Sequence, residues 1–444
     1  MKQEIQLSEH FTFRKLLRFT LPSIVMMVFT SIYGVVDGIF VSNFVGKTPF
    51  AAVNFIMPFL MILGAFGFMI GTGGSALVAK TIGEGHRRLA HRLFSMLVYI
   101  SLVFGVVLAV VGIVFIDEIA VWLGADEAML GDCVVYGRII LLALPAFILQ
   151  NIFQPFLVAA EKPSLGLAVT VAAGLTNIVL DYLFIVVFRW GVSGAAIATV
   201  ISQCVGGLLP LLYFMLPNKS LLRLTASRFY GREFLKVCVN GSSELVTQVS
   251  VSLVAMLYNF QLMRYIGEDG VAAFGVIMYV NFIFLSVFIG YSIGSAPIIS
   301  YNYGAKNHDE LRNVFRKSLY LVSIMALILT VAAELSATPL ARIFVGYDAA
   351  LYALTRRAFM IYSVAFLLVG FNIYASAFFT ALNNGVVSAV ISFSRTLLFE
   401  ACAVLLLPLL LGIDGIWLAV ACTEVLALIV SVTFLCYLRP RYRY

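Results

Sequence analysis

Twelve apolar runs separated by short polar stretches dominate the chain, at about 16–41, 50–79, 93–116, 133–160, 165–188, 192–216, 234–263, 271–301, 318–336, 354–382, 386–411 and 414–437. A hydrocarbon core about 30 Å thick is crossed by roughly 20 residues of helix at about 1.5 Å per residue. Each run therefore predicts one membrane-crossing helix. Several are longer than a straight crossing needs, which predicts tilt or protrusion beyond the bilayer. Membrane strands would alternate apolar and polar positions over about ten residues, and that alternation does not occur. The expected fold class is an all-α polytopic membrane protein.

Composition agrees: 62% of the 444 residues are hydrophobic and 11% charged, with a mean hydropathy of +1.03. Soluble proteins are roughly 45–50% apolar and about 25% charged, and a water-facing shell could not be built from this chain. A soluble enzyme and a nucleic-acid-binding module are excluded on that ground. The net charge of +7 has another origin, because the basic residues between runs fall on alternate sides. One side collects Lys2, Arg14, Lys15 and Arg18, then Lys80, Arg87, Arg88, Arg92, Lys162, Lys219, Arg223, Arg228 and Arg232. It also holds Lys306, Arg312, Arg316, Lys317, Arg439, Arg441 and Arg443, 20 in all. The other side has Lys47, Arg189, Arg264 and Arg342, and its loop 117–132 contains five acids and no base. The excess of Lys and Arg on cytoplasmic loops puts both termini and the central linker inside, as an even number of spans requires. A cleavable signal peptide is not expected, since the first run is long and contains Asp37. Cys133, Cys204, Cys238, Cys402, Cys422 and Cys436 form no CxxC pair and read as small hydrophobes.

The chain repeats itself when its first half is slid onto its second. Gly46-x4-Ala51-Ala52 meets Gly267-x4-Ala272-Ala273, and Gly73 and Gly83 meet Gly294 and Gly304. Gly124-x-Asp126 meets Gly346-x-Asp348, and Gly191-x2-Gly194 meets Gly412-x2-Gly415. Six spans per unit give both units the same orientation. Parallel repeats of this kind flank a substrate path in transporters. The expected organisation is a first lobe over 1–216, a cytoplasmic linker over 217–233 and a second lobe over 234–444.

Ionisable groups at membrane depth are costly and mark function by default. Asp37 lies toward the outer end of span 1, and Asn177 and Asp181 share one face of span 5. Thr199 follows in span 6 after a short turn. Two carboxylates, an amide and a hydroxyl can surround a small cation such as Na⁺ with oxygens, or the carboxylates can share a proton. The second unit differs, with Tyr258 opposite Asp37 and Cys402 opposite Asp181. Its own acids are Glu244, one turn before Gln248, then Glu400 and Glu424, with Arg395 shortly before Glu400. An ion pair of Arg395 with Glu400 or another acid is one reading of that set, and a substrate- or ion-facing role is another. Gln154 in span 4 and Tyr258 are further polar candidates.

Pro22, Pro58, Pro145, Pro155, Pro210, Pro297 and Pro408 fall inside spans, where each removes a helix hydrogen bond and permits bending. Pro22 lies about 22 Å below Asp37 along span 1, so a bend at Pro22 coupled to protonation of Asp37 is expected. Gly71-Thr72-Gly73-Gly74-Ser75 lacks the Lys-Ser/Thr of a phosphate loop and reads as close helix packing at the end of span 2. His10, His86, His91 and His308 lie in cytoplasmic segments without a zinc-protease motif. Without a nucleophile or acid–base set, the chain is not read as an enzyme.

In order along the chain, several marks resemble the multidrug and toxic compound extrusion (MATE) family. They are Leu21-Pro22 followed by Asp37 further along the same span, Gly73-Gly74-Ser75, Asn177-x3-Asp181, Ala198-Thr199-x-Ile201-Ser202-Gln203 and Arg395. The resemblance spans essentially the whole chain. It implies export of amphipathic, often cationic drugs by alternating access, driven by inward Na⁺ or H⁺ and needing no cofactor. It further implies a monomer with small-molecule cargo and no nucleic-acid partner, in a prokaryotic plasma membrane. In the DinF-like branch the coupling cluster matches Asp37, Asn177, Asp181 and Thr199, while other members also use acids of the second lobe, near Glu244. A flippase for a lipid-linked anionic head group is the alternative. It would need cationic residues in the cavity, for which only Arg138 and Arg395 qualify.

Overall fold

The computed structural model describes residues 5–123, 125, 127–218, 220–346 and 348–444. Of the residues singled out above, Lys2, Gly124, Asp126 and Lys219 lie outside the described residues. The first half contains α1 (Phe13–Phe44), α2 (Lys47–Gly83), α3 (Arg87–Leu123), α4 (Glu127–Leu142), α5 (Leu144–Ala159), α6 (Pro163–Asp181) and α7 (Gly191–Met215). The second contains α8 (Gly231–Tyr265), α9 (Glu268–Gly304), α10 (His308–Val345), α11 (Ala349–Ser363) and α12 (Phe366–Ala381). It ends with α13 (Gly385–Phe393), α14 (Glu400–Leu411) and α15 (Ile413–Tyr442). There is no strand among the described residues. Ten continuous helices are long and apolar enough to cross a membrane, and two bent pairs bring the total to twelve.

The bent pairs correct the expectation of unbroken spans 4 and 10. α4 and α5 meet at 58°, and α11 and α12 at 47°. In the first pair, Ala143 leaves helical geometry and Pro145 stands in the opening turn of α5 rather than inside a helix. A proline there has no N–H to donate to the Leu141 carbonyl, and its ring clashes with that carbonyl in a continuous helix. In the second pair no proline is present; the Ser363 hydroxyl lies within bonding distance of the Met360 carbonyl and the Glu334 carboxylate. The breaks at Ala143 and Val364 correspond under the same shift that carries Gly73 onto Gly294, so the bend belongs to the repeat. Two π-helical turns also interrupt spans, Tyr182–Val187 after α6 and Ser394–Phe399 before α14. α1 runs unbroken through Pro22, and α2 continues past Gly73-Gly74-Ser75 to Gly83.

Buried apolar side chains form two clusters. One is built from residues between Val41 and Val237, the other mainly from residues after Val254. The second cluster also takes in Leu7, Phe11, Leu16, Phe19 and Ile24, so the start of the chain packs with the C-terminal half. The segment before α1 is bonded on both sides. The Leu7 amide donates to Glu161, and the Phe11 amide to Glu310 at 2.9 Å. His10 pairs with Glu310 at 2.6 Å, and Asn313 and Lys317 donate to the Phe11 carbonyl. The segment between α7 and α8 lies along α3, with Thr225 N donating to Ser95 Oγ at 2.8 Å and Ser227 Oγ to the Arg92 carbonyl at 2.7 Å.

Small residues let the two halves meet. A Cβ on Gly73 of α2 would lie 2.3 Å from the Val237 carbonyl of α8, and one on Gly241 would lie 1.8 Å from that of Met69. Gly83 and Gly304 press in the same way on Tyr301 and Lys80. Asn240 and Asn383 add hydrogen bonds to the carbonyls of Gly73 and Ala76. These approaches all lie in the halves of the helices nearer the basic loops, and Ser31 Oγ to the Phe282 carbonyl at 3.4 Å lies near mid-span.

Candidate functional site: an oxygen cluster in the first lobe

Local packing decides which polar groups meet. Ser202 of α7 donates to the Ala173 carbonyl of α6 at 2.8 Å, which sets the register of these antiparallel helices. One turn back along α7 is Thr199, and one turn on along α6 is Asn177, so the two come level. α1 enters the same layer through Gly174 of α6, whose Cβ would sit 2.9 Å from Tyr33 and 2.5 Å from Phe29. One turn beyond Tyr33, Asp37 faces Asn177 and Asp181 closely enough for both to act on its charge. Tyr136 of α4 closes the cluster, next to Thr199 and within the field of both carboxylates.

The expected quartet is thus brought together. Asn177 is 2% exposed and Asp181 fully buried. Among the described residues, five oxygens in this group have no hydrogen-bond partner: Asp37 Oδ1, both carboxylate oxygens of Asp181, Asn177 Oδ1 and Thr199 Oγ1. Buried polar atoms are normally paired, and an unpaired one costs about 1–3 kcal/mol, more when charged. Five together form the donor set of a small hard cation or a proton-sharing pair. The π-turn begins directly after Asp181, and such turns favour functional positions because the extra residue re-aims side chains. α5 adds two buried amides, Gln150 and Gln154. Gln150 faces Tyr33, and the side-chain oxygens of Gln150, Gln154 and Gln203 also lack partners. Tyr136 and Gln150 carry no distinguishing mark in the sequence; only the register just described finds them.

The second lobe is arranged differently. Arg395 Nε bonds Glu424 at 2.8 Å, with the two side chains 15% and 3% exposed. The other Glu424 oxygen accepts from Asn372 at 2.7 Å, and Asn372 accepts from Ser431 at 2.9 Å. Arg395 therefore takes Glu424 as its direct partner, although it also acts on the charge of half-buried Glu400. Glu400 faces Tyr258 and Tyr362, and Tyr258 stacks on Phe274 at 4.7 Å with its hydroxyl unpaired. Glu244 and Gln248 are half-buried on α8.

A bundle of twelve spans built as two similar halves, with bare polar oxygens at membrane depth, defines a multi-pass membrane transporter. The chain belongs to the MatE family, whose model matches residues 22–183 and 245–404. Members are transporters, and this is an efflux-transporter family. The multidrug export protein MepA of Staphylococcus haemolyticus is 26% identical over 73% of this chain and 72% of its own. That of Staphylococcus saprophyticus is 23% identical over 91% and 88%. A solved structure described as the outward-facing conformation of a multidrug resistance MATE family transporter of the MOP superfamily shares the fold. Its TM-score is 0.93 at 23% identity, over 100% of this chain and 99% of the other.

Proposed function

We propose that this protein is a secondary antiporter that expels amphipathic organic cations in exchange for inward H⁺ or Na⁺. The unpartnered oxygens of Asp37, Asn177, Asp181 and Thr199 carry this reading. A proton or Na⁺ entering this layer neutralises the carboxylate pair and relieves its mutual repulsion. It thereby weakens the hold on a cationic cargo and lets the lobes change sides. Pro22, in the same helix as Asp37, is the hinge through which that change bends α1. Cationic cargo fits the charge at depth: Glu244 and Glu400 add to the two aspartates, while Arg395 is neutralised by Glu424. Glu400, Tyr258, Gln154, Glu244 and Gln248 are the proposed cargo contacts. The same charges speak against an anionic head group, because Arg138 is paired with Asp117 and Arg395 with Glu424.

With the lobes joined through the basic half, this arrangement is the outward-facing state of a monomer in the plasma membrane. Basic loops, both termini and the linker 217–233 face the cytoplasm, and lobes 1–216 and 234–444 are the moving units. The test is extrusion of a fluorescent organic cation from cells lacking other pumps, under imposed Na⁺ or proton gradients. Wild type should clear the dye under one gradient, which names the ion, and Asp37→Asn and Asp181→Asn should not. Absence of wild-type extrusion under both gradients would sink the reading.

A further inference from the structure

A cavity of about 610 Å³ lies between α10, α12 and α15 of the second lobe, away from the oxygen cluster. Arg312, Arg316 and Arg439 stand on its wall, and Phe315, Leu319, Phe371, Leu428 and Leu435 supply most of the remainder. Arg312 and Arg316 are four apart and share one helix face. Neither has an acidic partner among the described residues, and Arg439 donates to a main-chain oxygen of Tyr444 at 3.1 Å. All three are exposed, so three like charges gather at one end of an apolar hollow. The outer flank of α10 beside it is apolar, with Tyr320 65%, Ile324 53% and Leu327 60% exposed. In a membrane-spanning bundle such a flank faces lipid.

Depth matches one leaflet. From Arg312 to Ser323 the wall advances along α10 by about 16 Å at about 1.5 Å per residue, half of a hydrocarbon core about 30 Å thick. The arginines thus sit at head-group level on the basic side, and the apolar wall runs to the bilayer centre. Guanidinium groups bind phosphate oxygens in pairs, and basic pockets between membrane helices on this side suit anionic head groups.

We propose that this cavity is a binding site for an anionic phospholipid of the basic-side leaflet. Its phosphate is held by Arg312, Arg316 and Arg439, and an acyl chain lies along Leu319, Phe371 and Leu428. Ser431, on the same wall, donates to Asn372, which holds Glu424. A seated lipid therefore braces the layer behind the Arg395–Glu424 pair, independently of which ion drives transport.

Native mass spectrometry of the detergent-purified full chain, titrated with phosphatidylglycerol or phosphatidylcholine of identical chains, tests this. Wild type should retain phosphatidylglycerol over phosphatidylcholine, with retention falling about fivefold per arginine changed to Gln. A triple Arg87→Gln/Arg88→Gln/Arg232→Gln variant removes the same charge from outside the cavity and should behave as wild type. Leu428→Trp fills the hollow without touching the arginines and should also weaken retention, with Leu435→Trp as a second filler if the first is not monodisperse. Equal retention of both lipids, an equal loss in the control triple, or full retention in the filled variants would overturn the proposal. So would displacement by soluble glycerol phosphate, which would make this a site for free anions.

Discussion

Asp181 and Glu424 are both carboxylates buried at membrane depth, at 0% and 3% exposure, yet they are built in opposite ways. Both oxygens of Glu424 are bonded, to Arg395 and Asn372, and neither oxygen of Asp181 has a hydrogen-bond partner among the described residues. A buried carboxylate with its partners in place holds the protein together; under the proposed coupling, one without them holds a place for an ion. The π-turns sharpen the contrast. One follows Asp181, and the other contains Arg395, directing it to a partner on α15. The same sixfold set of spans thus carries an unpartnered carboxylate layer in one copy and a paired one in the other.

The largest effect expected from this contrast is in Asp37→Asn and Asp181→Asn. Both should bring dye efflux to background while thermal unfolding stays unchanged or moves upward, because the crowding of two buried carboxyl groups has gone. A fall in stability with efflux retained would reverse the assignment. Next comes Arg395→Ala, which strands Glu424. Breaking a buried pair typically costs about 3–5 kcal/mol, read as a lower unfolding midpoint in detergent. An Arg395→Met/Glu424→Met double variant should recover most of it. Ser202→Ala removes the bond to Ala173 and should cost about 1 kcal/mol. It should also slacken the register that presents Thr199, so efflux should fall more than stability does. The smallest effect is expected for Arg138→Gln, because exposed pairs such as Arg138–Asp117 are worth about 0–1 kcal/mol; its unfolding midpoint should be that of wild type.

Much of this was readable in the chain. The spans follow from run length, and the Asn177–Asp181 face from four-residue spacing. Bringing Asp37 and Thr199 to that face needed the packing at Gly174 and the Ser202 bond, which are relations between distant segments. The break near Ala143 had a local sign in Pro145, read as a proline within a continuous span. The break near Val364 had none, since Ser363 and Glu334 serve it from different helices. Arg395 had a nearer acid in sequence, Glu400, but its direct bond goes to Glu424 in α15. The pairing of Leu7 and Phe11 with both halves was likewise invisible to hydropathy, because two apolar residues before the first span look like its prelude.

That strap is tied at both ends: Leu7 bonds Glu161, and Glu310, Asn313 and Lys317 grip His10 and Phe11. Under the proposed alternating access, parting the lobes on the basic side would pull the strap between Glu161 and Glu310. In deuterated buffer, exchange at the Leu7 or Phe11 amide would then rise in step with turnover, and the amide that exchanges names the tie that opens. Close to its start, the chain would carry its own clock for the transport cycle.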